Sequence, residues 1–360
     1  MVKMGGTASE IAQQFINLDP LNALFLVILG FLGGLISGFI GSGGAFVLTP
    51  GMMSLGVPGA IAVATNMCHK FPKALVGAWK RYKYGQVDIK LGLILAISAT
   101  AGVQVGIRIQ KTIFAKWGSA GSDLYVSLAF ITVLTILGTY VLADAIKTMK
   151  GKGEESTTNL ARKVQKIKIW PVVRFPVAGS KISLWFTLPV GFATGMLAAT
   201  IAVGGFIGVP GMIYILGVPA LMASATELII AFVMGLSGTI TWALGGFVDI
   251  RMVLLILGGS LIGVQFGAIG TTYVKEYTIK LVMATIMLIV SLSRAIAMPI
   301  YLHKLGKLTI SPATEHLLKN TSFIIMCLAL AIGGIIILGS MWKGKKELQI
   351  ESEAITATTN

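Results

Sequence analysis

Gly56-Val57-Pro58, followed by Ala64-Thr65-Asn66, returns 161 positions later as Gly217-Val218-Pro219, followed by Ala225-Thr226-Glu227. Working outward, Val87-Asp88-Ile89 returns as Val248-Asp249-Ile250 at the same offset. Gly102-Val103-Gln104 with Gly106 returns as Gly263-Val264-Gln265 with Gly267, and Gly43-Gly44 as Gly204-Gly205. An apolar composition repeats Leu, Ile and Ala by chance. It does not repeat, without a gap, the residues that set the shape of the backbone. The chain therefore contains one unit twice.

Of its residues, 55% are hydrophobic and only 12% charged, with a mean hydropathy of +0.85. A soluble domain carries about 25% charge, so most of this surface must face lipid or other helices. The 44 glycines agree, because small residues let membrane helices approach closely. The net charge of +15 follows the rule that cytoplasmic loops collect Lys and Arg. The basic residues flank apolar segments without interleaved aromatics, which argues against nucleic acid as a partner. Cys68 and Cys327 lie in apolar stretches with no metal or disulfide spacing.

A spanning helix needs about 20 mostly apolar residues. Candidates are Leu21–Ile40, Ile61–Trp79, Leu91–Ile109 and Leu124–Ile146, then Leu184–Val203, Leu221–Leu244, Met252–Tyr273, Tyr277–Tyr301 and Phe323–Trp342. Ala45–Leu55 and Phe206–Leu216 are too short to cross alone and are bracketed by Gly-Gly and Gly-Val-Pro. They read as half-helices or re-entrant segments. The expectation is an all-α polytopic membrane protein of 8–10 membrane segments, with two internal repeats and Gly-broken helices. It divides into a polar start (1–20), repeat 1 (21–146), a basic cytoplasmic linker (147–183), repeat 2 (184–301), a loop (302–322), a last transmembrane helix (323–342) and a tail (343–360). Trp170-Pro171 reads as part of a segment lying on the membrane interface.

Loop 80–90 carries Lys80, Arg81, Lys83 and Lys90, whereas its duplicate 241–251 keeps only Arg251. Inverted repeats explain this loss, with the first loop inside and the second outside. That requires an odd number of crossings per half, so the short segments must complete one. Four crossings per half would make the repeats parallel. Lys343–Lys346 inside supports inversion, while the basic 303–319 loop, then outside, argues against it.

Gly41-Ser42-Gly43-Gly44 closes a Gly-rich run that starts at Gly33, and Gly204-Gly205 repeats it. Glycines permit unwound backbone, and exposed amides at a following helix start favour an anion; tight helix packing is the alternative. The ATPase phosphate-loop pattern is absent. Thr65 and Asn66, with Thr226, either cap helices or contact a ligand. Glu227 is a carboxylate in an apolar segment, where a charge is costly and marks function. It is the candidate to carry a coupling proton. Asn66, Lys70 and Lys73 share a helix face, with His69 beside it, and the second half has Ala231 and Met234 where the first has the two lysines. Lys70 is the candidate to attract an anion; Lys73 reads as snorkelling toward a surface. Arg294 is either a substrate contact or structurally paired. No catalytic set, metal site or cofactor motif is predicted, so the chain does not read as an enzyme.

Gly38-Phe39-Ile40-Gly41-Ser42-Gly43-Gly44, the Pro50 region, Gly56-Val57-Pro58 with Ala64-Thr65-Asn66, and the basic turn Arg81–Asp88 resemble the TauE/SafE family of sulfite-exporter-like permeases. The resemblance covers residues 21–342 apart from the linker. It implies movement of sulfite, sulfonates or related small anions across the cell (inner) membrane, driven by an ion gradient of protons or sodium. Lys70 and Lys73 map to no motif of that family. An anion channel and a membrane sensor with the linker as its output are the competing readings.

Overall fold

The computed structural model describes residues 11, 15–40, 44–150, 159–202 and 204–359. Gly41, Ser42 and Gly43 lie outside the described residues. The element order is α1 (Pro20–Ile40), α2 (Ala45–Ser54), α3 (Gly59–Lys83), α4 (Ile89–Met149), α5 (Asn159–Lys166), β1 (Val172–Phe175), β2 (Ser180–Ser183), α6 (Leu184–Ile201), α7 (Gly205–Tyr214), α8 (Ala220–Leu244), α9 (Ile250–Gly270), α10 (Glu276–Lys304) and α11 (Pro312–Thr359). Seven of these, α1, α4, α6, α8, α9, α10 and α11, are long and apolar enough to cross a membrane. α3 has the same length as α8, 25 residues, but is less apolar. The protein is an all-α polytopic membrane protein.

Each repeated motif has a local job. Gly56 and Gly217 sit at φ 93° and 73°, a left-handed conformation that ends α2 and α7. Pro58 and Pro219, at φ −56° and −55°, then start α3 and α8. Asp88 and Asp249 cap α4 and α9, each accepting a backbone N–H at 3.0 Å, from Leu91 and Arg251. The bounds of α3 and α8 differ by 161 at both ends, and α4 and α9 start at the same offset.

The expected segments Leu91–Ile109 and Leu124–Ile146 form the two arms of α4, separated by a break at Gly118 (φ 65°). Gln110 Nε2 donates to Ser122 Oγ at 2.8 Å. In a straight helix these residues would be about 18 Å apart, so the two arms fold back on each other. α11 also extends well beyond the expected Phe323–Trp342. Within the linker, α5 is followed by an antiparallel hairpin in register Val172↔Ser183 to Phe175↔Ser180. Trp170, on its approach, is exposed.

Packing repeats with the same offset. In α1 and α9, a side chain at Gly30 would strike the backbone of Ile256, one at Gly34 that of Ser260, and one at Gly263 that of Phe31. In α6 and α4, the contacts are Gly191 on Leu95, Gly195 on Ala99, and Gly102 on Phe192. Every residue in the second set stands 161 positions from its equivalent in the first. The first helix of each half thus lies parallel to the fourth helix of the other half. α3 and α8 run antiparallel, with Gly77 on Leu228 and Gly238 on Met67, and this contact maps onto itself under the same offset. The short helices turn back on the helices before them: α2 packs Gly51 on Leu29, and α7 packs Gly211 on Val190.

Gly34→Leu should therefore destabilise the protein by about 3 kcal/mol or abolish its folding, because backbone must move. Gly258→Ala, whose new methyl meets nothing within 4 Å, should be neutral. Thermal unfolding in detergent micelles reads both; equal melting of the two variants would contradict the packing argument.

Candidate functional site between the broken helices

The site forms where α3 and α8 cross and the short helices begin. Gly44, at φ 66°, precedes α2 and sits against the Gly33 carbonyl. Gly204 precedes α7 and lies against Ala198 and Met234. Gly33 neighbours Gly34, which abuts Ser260, the middle residue of α9. Both short helices thus start well inside the bundle and run outward. Their N-terminal amides and positive dipole ends face inward.

Thr65, Asn66, His69, Lys70 and Lys73 are all buried on α3, and Thr226 and Glu227 are buried on α8. Asn66 Nδ2 donates to Thr49 Oγ1 of α2 at 2.9 Å. Its Oδ1 therefore faces His69 Nδ1, at 3.3 Å. With Nδ1 carrying the proton, His69 Nε2 accepts from the Ser260 hydroxyl at 2.7 Å. One chain of hydrogen bonds thereby links α2, α3 and α9.

Lys70 and Glu227 differ from their neighbours. Lys70 Nζ and both carboxylate oxygens of Glu227 are buried without a hydrogen bond. They act on each other as opposite charges, and Lys73 adds a second buried lysine on the same face. Glu227 lies over Gly208 of α7, where any side chain would collide with the carboxylate. A buried pair of charges whose polar atoms lack hydrogen bonds still carries an unrelieved desolvation cost, and a polar ligand within reach of both would reduce it.

The two threonines have a different setting. Thr65 Oγ1 accepts from the Asp249 amide, and Thr226 Oγ1 accepts from the Asp88 amide, both at 3.1 Å. These bonds are each other's duplicates and tie each half to the helix start of the other. Asp88 Oδ2 also accepts from the Val177 and Ala178 amides in the linker hairpin, each at 3.1 Å.

Arg294 lies apart from this group, near the end of α10. Its Nη2 donates to Ser322 Oγ at 3.0 Å and Ser293 Oγ at 3.3 Å. The sequence reading did not single out Thr49, Ser260 or Gly208. A lone hydroxyl or glycine in an apolar helix carries no pattern. Among the described residues no group of His, Cys, Asp and Glu could hold a metal ion.

"Probable membrane transporter protein YunE" of Bacillus subtilis (strain 168) is 23% identical over 275 residues, covering 74% of this chain and 95% of that protein. "Probable membrane transporter protein YdhB" of the same organism is 24% identical over 261 residues, covering 71% and 94%. "Sulfite exporter TauE/SafE family protein 3" of Arabidopsis thaliana is 25% identical over 111 residues, covering 30% and 23%. No solved structure matches. The family described as "Sulfite exporter TauE/SafE" matches residues 26–294, and the chain belongs to this family of membrane transporters.

Proposed function

We propose that this chain is a secondary-active transporter of a small anion, sulfite or an organosulfonate, working by alternating access in the cell membrane. One observation carries the reading. Lys70 and Glu227 are buried opposite each other without hydrogen bonds, beside two helices that start inside the bundle. A bound anion would take the Lys70 ammonium as its counter-charge and the amides near Gly44 and Gly205 as donors. Asn66 and His69 would fix the wall of the site, and Thr65 and Thr226 would act as positioning residues through Asp249 and Asp88.

The same pair supplies a coupling route. An ionised Glu227 neutralises Lys70 and competes with the anion for it. A proton on Glu227 removes that competition, so proton and anion would bind together and travel together. Sodium is the alternative coupling ion; a buried carboxylate whose two oxygens make no hydrogen bond favours a proton.

The antiparallel course of α3 and α8 supports inverted repeats. An axis relating two antiparallel helices is perpendicular to both, and for membrane-spanning helices it lies in the membrane plane. The short helices then complete the odd number of passes. The positive-inside rule places the linker and the 80–90 loop in the cytoplasm, on one side together, as the Asp88–Val177 contact requires.

Counterflow in proteoliposomes loaded with sulfite, sulfate, sulfoacetate or phosphate should be supported by the sulfur oxyanions. Failure of all four would end the substrate claim, and current without counterflow would make the protein a channel. Lys70→Met should weaken the apparent affinity by about tenfold or more, the loss of one charge-assisted contact. Glu227→Gln should abolish pH-driven uptake while sparing exchange; unaltered pH-driven uptake would remove its assigned role. In denaturant unfolding, Lys70→Met alone should cost about 3 kcal/mol, and Glu227→Gln added to it should restore part of that loss. Strictly additive losses would mean the two charges do not sense each other.

A further inference from the structure

At the end of the bundle where α1 begins, α2, α10 and α11 enclose a cavity of about 110 Å³. Its inner wall is Arg294, 1% exposed, whose Nε has no hydrogen-bond partner. Ser54 and Ser322 lie at hydrogen-bonding distance from the same guanidinium, at 3.5 and 3.0 Å. Lys304 and Lys319, both exposed, form the mouth. Glu315 also lines the cavity, and Asp123 acts on Arg294 and Lys304 from α4. Three positive charges thus stand against two negative ones. A water needs about 10–15 Å³ of such space, so a small oxyanion fits with water around it.

The duplicated frame shows that this opening is specific to one end. Met53 and Tyr301 line the cavity; their equivalents, Tyr214 and Tyr140, instead close on each other edge-to-face, with ring centroids 4.8 Å apart. There, Asp144 accepts from Tyr214 Oη at 2.9 Å and from Lys280 Nζ at 2.8 Å. The fold alone therefore does not leave a hole at this position. Lys319 and Ser322 come from α11, which follows the second copy of the repeat.

We propose that this cavity is a second anion site, at the mouth remote from the linker, taking a small oxyanion between the Arg294 guanidinium and the Lys304 and Lys319 ammonium groups. It deepens the transporter reading, on which its role rests: it would concentrate the anion at one side before or after passage through the centre. A guanidinium fork with two flanking ammonium groups recognises a tetrahedral or pyramidal oxyanion.

The test is sulfate titration of the purified full chain in detergent, read as the shift in thermal unfolding midpoint against sodium chloride of matched ionic strength. Lys70→Met, which weakens the central site about tenfold or more, should retain a saturable sulfate-dependent rise whose apparent affinity is that of the unaltered protein. Combining Lys70→Met with Lys304→Gln and Lys319→Gln should weaken that rise about tenfold in apparent affinity. These two lysines are exposed, so their replacement leaves folding intact. Loss of the sulfate response in Lys70→Met alone, or an unchanged titration in the triple variant, would overturn the second site. Counterflow by the Lys304→Gln, Lys319→Gln variant separates the outcomes, since the central reading requires that exchange persist at saturating anion.

Discussion

Backbone-to-backbone contact at glycine is the constraint on which this architecture depends. Lipid tails are as apolar as the helix surfaces, so burial of apolar area does not hold membrane helices together; close packing and hydrogen bonds do. α1 meets α9 at Gly34 and Gly263, and α6 meets α4 at Gly195 and Gly102, at points where a single methyl group would overlap main chain. Because each contact joins one half to the other, neither half closes on itself. The reciprocal Thr65–Asp249 and Thr226–Asp88 bonds add polar links at the same junction. The buried charges of Lys70 and Glu227 lie where the two halves meet, and these contacts set the spacing there.

Most of the frame was legible in the sequence because its residues act on the backbone. Gly56 and Gly217 stop one helix, Pro58 and Pro219 begin the next, and Asp88 and Asp249 cap another. The break in α4 was legible as the gap between Ile109 and Leu124, but the helix that continues on both sides of Gly118 through that gap was not. The linker hairpin escaped because four-residue strands are too short to show a period. For the site, Glu227 and Lys70 stood out as charges in apolar helices. Thr49 and Ser260 did not, since their meaning depends on contacts across the chain. Ser260 lies 191 positions from its partner His69. Thr65 and Thr226 read equally as caps or ligand contacts, and their hydroxyls are found holding the opposite half.

The repeats agree where they build and differ where they carry charge. Thr65 and Thr226 match, as do Asp88 and Asp249. Asn66 faces Glu227, Lys70 faces Ala231, and Lys73 faces Met234 in the alignment of the halves. A symmetric pair of lysines and glutamates at the crossing of α3 and α8 would place like charges close together, which costs free energy in a low-dielectric interior. It would also offer two half-sites to one small ligand. Divergence leaves the buried lysines on α3 and the buried carboxylate on α8, so opposite charges meet at the crossing.

The ends of the bundle diverge in the same way, and this bears on how such a protein could alternate. At the linker end, α7 is anchored through Tyr214 to Asp144, which also holds Lys280. At the other end, the equivalent tip of α2 carries Met53 and Ser54 beside a cavity. Withdrawal of α7 must break the Tyr214–Asp144 bond and separate the Tyr140–Tyr214 rings, whereas movement of α2 meets the neutral Asn66–Thr49 bond at 2.9 Å and, at its tip, the weaker Ser54–Arg294 contact at 3.5 Å. Bonds to a charged acceptor contribute about 1.5–3 kcal/mol each. On the proposed reading, the two faces of the transporter therefore open against unequal resistance although one duplicated frame builds both. That inequality comes from a few side chains at the tips of the short helices, since the helices that carry them are equivalent.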